Sequence, residues 1–119
     1  VIAEGAYSRL SENFSGYGAG GFFANLAGLQ ARLAFQVQTG VNPALSSPVE
    51  DIAALSPRPV LLIYGEAEAE APLEALWQAA RAPKERWIVP GGQHGRNHLA
   101  APEEYHRRVV EFFHRALLP

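Results

Sequence analysis

The sequence predicts an α/β domain: a partial parallel sheet with crossover helices, arranged in three layers. Three observations carry this prediction. Val60, Leu61, Leu62, Ile63 and Tyr64 form an unbroken apolar run between Pro59 and Gly65. A strand with one wet face alternates apolar and polar residues; this run does not, so both of its faces should be covered, as in a parallel sheet between helix layers. A second run, Trp87-Ile88-Val89, ends in Pro90-Gly91-Gly92-Gln93-His94-Gly95. Finally, a helical pattern lies between the two runs, and a helix connecting consecutive strands makes them parallel with right-handed crossovers.

Taken in order, Val1–Ala3 reads as a short strand followed by the turn-prone Glu4-Gly5. Tyr7 to Ser15 is weakly patterned. Ser15 to Gly21 is a glycine-rich loop. Helical periodicity then runs through Phe22, Leu26, Leu29, Leu33 and Val37, with Gly40 as its stop. Ser47-Pro48-Val49-Glu50 has the form of a capping box opening a short helix, which ends before Ser56-Pro57. Pro72 opens the next helix, with Leu73, Leu76, Trp77 and Ala80 on its apolar face, and Pro83 stops it. The last helix begins near Ala101-Pro102 with a core face of Tyr105, Val109, Phe112, Phe113, Ala116 and Leu117. Glu103–Arg107, Glu104–Arg108 and Glu111–Arg115 are spaced as ion pairs along its wet side. The three strands are expected near residues 1–4, 59–64 and 86–89.

The composition narrows the function. A hydrophobic content of 48% against 18% charged residues fits a globular domain with a core. A net charge of -2 leaves no electrostatic footprint for nucleic acid or an anionic membrane, and neither is expected as a partner. No apolar run is long enough to span a bilayer. The absence of Cys excludes disulfides, zinc thiolates and thiol nucleophiles. It is compatible with the cytoplasm, the expected compartment. Met is absent too, and Val1-Ile2-Ala3 has the character of a strand interior; the expectation is a piece of a longer protein.

Ligands and chemistry in open α/β sheets sit outside the carboxyl ends of the strands. Two loops fall there. His94, flanked by glycines just past the third strand, is either a general base or a surface-loop histidine. Glu66, Glu68 and Glu70 follow the central strand. At least two of them belong to a solvated acidic loop, and composition does not choose which one could orient a histidine. His98 is the rival of His94. Zinc on the His94–His98 pair would need a helix there and a third ligand, and Gly95 opposes the helix; no metal and no cofactor are expected. His106 and His114 read as structural or solvated. Gly16-x-Gly18-x-x-Gly21 has the letters of a dinucleotide fingerprint but neither a strand directly before it nor an acid ending a second strand after it, so it reads as a flexible loop. No Gly-x-Ser-x-Gly elbow occurs.

Ser47-Pro-Val-Glu-Asp-Ile-Ala-Ala-Leu-Ser-Pro-Arg-Pro-Val-Leu-Leu-Ile-Tyr-Gly resembles the approach to the seventh strand of an α/β-hydrolase. The likeness is to bacterial serine hydrolases related to the dienelactone hydrolase, prolyl-oligopeptidase and serine-aminopeptidase groups. In that family the strand ends in Gly-x-x-Asp-x-x-x-Pro, whose Asp is the triad acid. Gly65-Glu-Ala-Glu68-Ala-Glu-Ala-Pro72 has the same spacing, with Glu where the family has Asp. Pro90-Gly-Gly-Gln-His94-Gly resembles the loop of the catalytic histidine, and Ala101 to Phe113 the last helix. The likeness covers Ser47 to Leu118; Val1–Tyr7 would be the sixth strand, and Phe22–Gly40 would lie in the variable cap region.

The resemblance implies that 1–119 is a single partial domain, the C-terminal half of an α/β-hydrolase fold. Residues 8–46 would form a cap-like crossover and 47–119 the hydrolase core. It implies a catalytic pair, His94 and Glu68, in a serine esterase, acyl hydrolase or peptidase acting on a small acyl ester or peptide substrate. The nucleophile would lie outside this chain, and the chain would pair with a copy of itself or with the N-terminal half. The competing expectation is a non-catalytic α/β interaction module or an inactive hydrolase descendant.

Overall fold

The computed structural model describes residues 1–14, 21–68 and 70–118. The elements are β1 (Ile2–Glu4), α1 (Phe22–Thr39), α2 (Pro48–Asp51), β2 (Val60–Gly65), α3 (Glu70–Ala79), β3 (Lys84–Val89), α4 (Asn97–Ala100) and α5 (Pro102–Leu117). Short 3-10 turns lie at Leu10–Phe14, Pro43–Leu45 and Ile52–Leu55. The described strands form one three-stranded parallel sheet in the order β1-β2-β3. Ile2 pairs with Leu61, and the β2–β3 register runs from Val60 opposite Lys84 to Gly65 opposite Val89.

The central strand shows why its sequence does not alternate. Val60, Leu62 and Tyr64 pack on one face with Ile52, Leu73, Leu76 and Ala80. Leu61 and Ile63 pack on the other with Trp87, Val89 and Phe112. Apolar side chains are needed on both faces because α3 and the turn before β2 cover one and α5 covers the other; no residue from Val60 to Tyr64 is more than 3% exposed.

Several expectations are corrected. β3 starts at Lys84, not Arg86, because pairing with the whole of β2 recruits the polar Lys84, Glu85 and Arg86 into the ladder. It is a half-covered edge strand: Trp87 and Val89 are buried, whereas Ile88 is exposed. α3 starts at Glu70, upstream of Pro72. On α5 the core face is Tyr105, Val109, Phe112 and Ala116. Phe113 and Leu117 lie outside that stripe and are exposed, since a straight helix on a three-stranded sheet turns only one narrow face to it. Of the spaced ion pairs, Glu104–Arg108 forms at 2.6 Å. Arg107 instead bridges Glu104 and Glu111, and Arg115 reaches Glu85 on β3.

The capping box at Ser47 does not form. Val49 N–H is satisfied by the Ser8 carbonyl at 3.0 Å, and the Glu50 carboxylate pairs with Arg9 at 3.2 Å. The Ser47 hydroxyl is left buried without a partner among the described residues. These bonds, with Leu10 N–H to Ser46 O at 3.0 Å, tie the two ends of the 8–46 crossover together.

α1 ends as expected, at Gly40 in the left-handed region (φ 72), whose N–H caps the Gln36 carbonyl at 2.9 Å. Its contact with the body is narrow. Gly28, its one buried residue, lies under the Phe14 carbonyl, and Phe14 meets Phe35 at 5.5 Å between ring centroids. Phe22, Leu26, Leu29, Leu33 and Val37 form an exposed apolar stripe. No described helix is long and apolar enough to cross a membrane.

Candidate active site

The ends of all three strands meet at one point. After β2 the chain turns at once: Glu68 N–H donates to the Gly65 carbonyl at 2.9 Å. After β3 it turns through Gly91 (φ 66), with Gly92 N–H on the Val89 carbonyl at 3.0 Å. The two turns are laced together. Glu66 N–H donates to Val89 O at 3.0 Å and Ala67 N–H to Gly92 O at 3.2 Å. The Glu66 carboxylate accepts from Gly91 N–H at 2.9 Å, so this carboxylate belongs to the loop scaffold and not to the histidine.

Glu68 is the carboxylate that meets His94. Its Oε1 lies 2.8 Å from His94 Nδ1. Its Oε2 accepts from the backbone N–H of Gly65 and, at 3.3 Å, from Asn97 Nδ2. The side chain of Glu70 lies outside the described residues. The Glu68 side chain is only 8% exposed and that of His94 is 77% exposed, so a buried anchor carries an accessible imidazole. Burial by itself would raise the Glu68 carboxyl. The hydrogen bonds from Gly65 N–H, His94 and Asn97, together with the His94 charge, outweigh it and hold the group below its ordinary value of 4.5.

An ionised carboxylate can only accept, so the proton between the two residues belongs to Nδ1. In the neutral imidazole this leaves Nε2 bare, with its lone pair free to take a proton. The imidazolium that results would be stabilised by the carboxylate already in place.

β1 supplies the third wall. Gly5 follows it with φ 54, and a Cβ there would stand 2.6 Å from His94 Nδ1 and 2.8 Å from Glu68 Oε1. Only glycine lets this backbone lie against the pair. Tyr64, at the end of β2, donates its hydroxyl to the Ala6 carbonyl and fixes the next residue of the same wall. Burial, then the charge of Glu68, pushes the Tyr64 hydroxyl up to about 12, so it remains a donor. A cleft of about 530 Å³ opens over the pair, lined by Gly5, Ala6, Tyr7, Tyr64, Pro72 and Gln93 among others. No serine or threonine lines it among the described residues.

His98 lies within α4, whereas His94 precedes that helix, so the two do not share a helical face. The His98 ring sits edge-on to Tyr105 at 6.1 Å. His106 and His114 are exposed on α5. Gly16 and Gly18 of the glycine-rich loop lie outside the described residues. Gly5, Tyr64 and Asn97 are parts of the site that the sequence does not single out. For Tyr64 a signal existed: a phenol closing a buried apolar run needs a partner.

No protein-family model, curated protein or solved structure matches the chain.

Proposed function

We propose that Glu68 and His94 are the acid and the histidine of a serine hydrolase of the α/β-hydrolase type, acting on an ester or peptide acyl group, with the nucleophile supplied from outside this chain. The observation that supports the reading is the 2.8 Å contact between His94 Nδ1 and Glu68 Oε1 at the carboxyl edge of adjacent parallel strands. Glu in place of Asp lengthens the acid by one methylene, and the Gly65 N–H holds the longer side chain back against the turn. In the reaction, Nε2 takes the serine Oγ proton as Oγ bonds to the acyl carbon. It then returns that proton to the departing alcohol or amine as the old bond breaks. Water repeats the sequence to release the acid and free the serine.

The test is a fluorophosphonate probe applied to a protein that contains this chain together with its nucleophile-bearing segment. A labelled serine, with labelling lost in His94→Ala, is the expected result; the chain by itself should not turn over a nitrophenyl ester above background. A folded protein that takes no label would leave the non-catalytic module as the better account.

The same reading gives the outer faces a purpose. β1 pairs only with β2 among the described strands, and the α1 stripe from Phe22 to Val37 stands in solvent. Unpaired edges and apolar patches of this kind recruit partners. The chain should therefore self-associate at micromolar concentration, or pair with its nucleophile-bearing half, through Val1–Tyr7 and α1. Sedimentation of the chain and of a Phe22→Ser/Leu26→Ser/Leu33→Ser variant checks this. A monodisperse, cooperatively unfolding monomer would remove the pairing.

A further inference from the structure

We infer that Asn97 is a positioning residue whose amide decides which oxygen of Glu68 is left for His94. Asn97 opens α4 and is 0% exposed. Its Nδ2 donates to Glu68 Oε2 at 3.3 Å. Its Oδ1 is buried without a partner among the described residues and sits 2.3 Å and 2.6 Å from where a Cβ would stand on Gly92 and Gly65. The side chain is thus inserted between the acid loop and the histidine loop, and the two glycines make room for it.

Packing alone does not account for an amide in this place. An apolar side chain of similar volume would fill the space without stranding an oxygen. What the amide adds is the donor to Oε2. With Gly65 N–H and Asn97 Nδ2 both directed to Oε2, Oε1 is the oxygen free to accept from His94. The terminal torsion of a Glu side chain is broad and roughly two-fold, so one donor restrains it less than two. Without Nδ2, the carboxylate can turn away from the imidazole, and His94 loses the bond that keeps its proton on Nδ1.

The inference concerns the pair itself and rests on the hydrolase reading only for its kinetic consequence. The experiment is long-range proton–nitrogen correlation of His94 in ¹⁵N-histidine-labelled protein, which reports the tautomer directly. Asn97→Leu fills the space and removes the donor; Asn97→Asp keeps the shape and sets an acceptor against Glu68. In both, the ratio of Nδ1–H to Nε2–H tautomer should fall about tenfold, the size of one hydrogen bond to a charged group. An unchanged ratio in either variant that keeps the wild-type amide spectrum overturns the inference. Loss of the fold in both makes Asn97 a packing residue and overturns it too. Where a protein containing this chain hydrolyses an ester, kcat should fall by up to about tenfold with KM unchanged, in step with the tautomer ratio. A protein whose serine takes no fluorophosphonate removes the hydrolase reading and this kinetic arm, while the tautomer ratio still decides the role of Asn97.

Discussion

If Glu68 and His94 act as the acid and base of the proposed hydrolase, Glu68→Gln should lower acyl turnover by about 10⁴-fold while leaving the fold in place, because it reverses the histidine tautomer. A glutamine has one acceptor oxygen and one donor NH₂ where the carboxylate had two acceptors. Gly65 N–H and Asn97 Nδ2 both point at the Oε2 position, so the amide oxygen must take it. The NH₂ group then faces His94 Nδ1, which has to accept. The imidazole proton moves to Nε2, and the bare lone pair on that nitrogen, the feature a general base needs, is gone. Steady-state kinetics of the purified protein, with the amide spectrum as a check on folding, measures the effect. Activity within tenfold of wild type would mean that the carboxylate does not orient the base.

Gly65→Ala should be among the most damaging single substitutions for stability, at about 3 kcal/mol or more, the upper range for overpacking. A Cβ at this position would stand 2.4 Å from the carbonyl carbon of Gly92, 2.5 Å from its oxygen and 2.6 Å from Asn97 Oδ1. Two of these atoms are backbone, so relief requires the acid and histidine turns to separate. Relieving the clash therefore breaks the site as well as the packing. Gly21→Ala is the control: its Cβ would meet nothing within 4 Å among the described residues, and its φ of 162 is extended backbone that any residue adopts. Its cost should stay within about 0.5 kcal/mol. Urea unfolding of the two variants side by side separates a steric effect from the general effect of removing a glycine. Equal midpoints would contradict the close approach of the two turns.

The parts of the fold that were legible in the sequence are those set by short-range chemistry. The five-residue apolar run of β2 requires two covered faces wherever it lies, and both clusters form on it. The stop at Gly40 depends only on the chain reaching the left-handed region. Non-local choices were not legible. Lys84, Glu85 and Arg86 join β3 because β2 offers them partners, which their own side chains do not announce. Glu50 left its capping position for an arginine forty-one residues away in sequence, a preference invisible within the Ser47–Glu50 window. Phe113 and Leu117 share a helical face with core residues on periodicity alone, but the sheet beneath is too narrow to reach them.

In the candidate site, His94 could be singled out from its glycines and its place after a strand. Choosing Glu68 over Glu66 required the spacing of a family motif, since three carboxylates in alternation are equivalent by composition. The structure separates them by their donors: Glu66 is used by Gly91 N–H, Glu68 by Gly65 N–H, Asn97 and His94. Asn97 carried no signal because its partner is twenty-nine residues upstream and its surroundings read as an ordinary polar loop. Gly5 likewise gains its meaning only when β1 lies beside β2 and brings it against the pair.

The measurement that tests the account most directly is which of the two ring nitrogens carries the proton in the neutral imidazole of His94 in the wild-type protein, read from long-range proton–nitrogen correlations. The account predicts a proton on Nδ1 and a bare Nε2, with the Nε2–H tautomer dominant after Glu68→Gln. A wild-type His94 that carries its proton on Nε2, or that shows the tautomer mixture of a free imidazole, would contradict it.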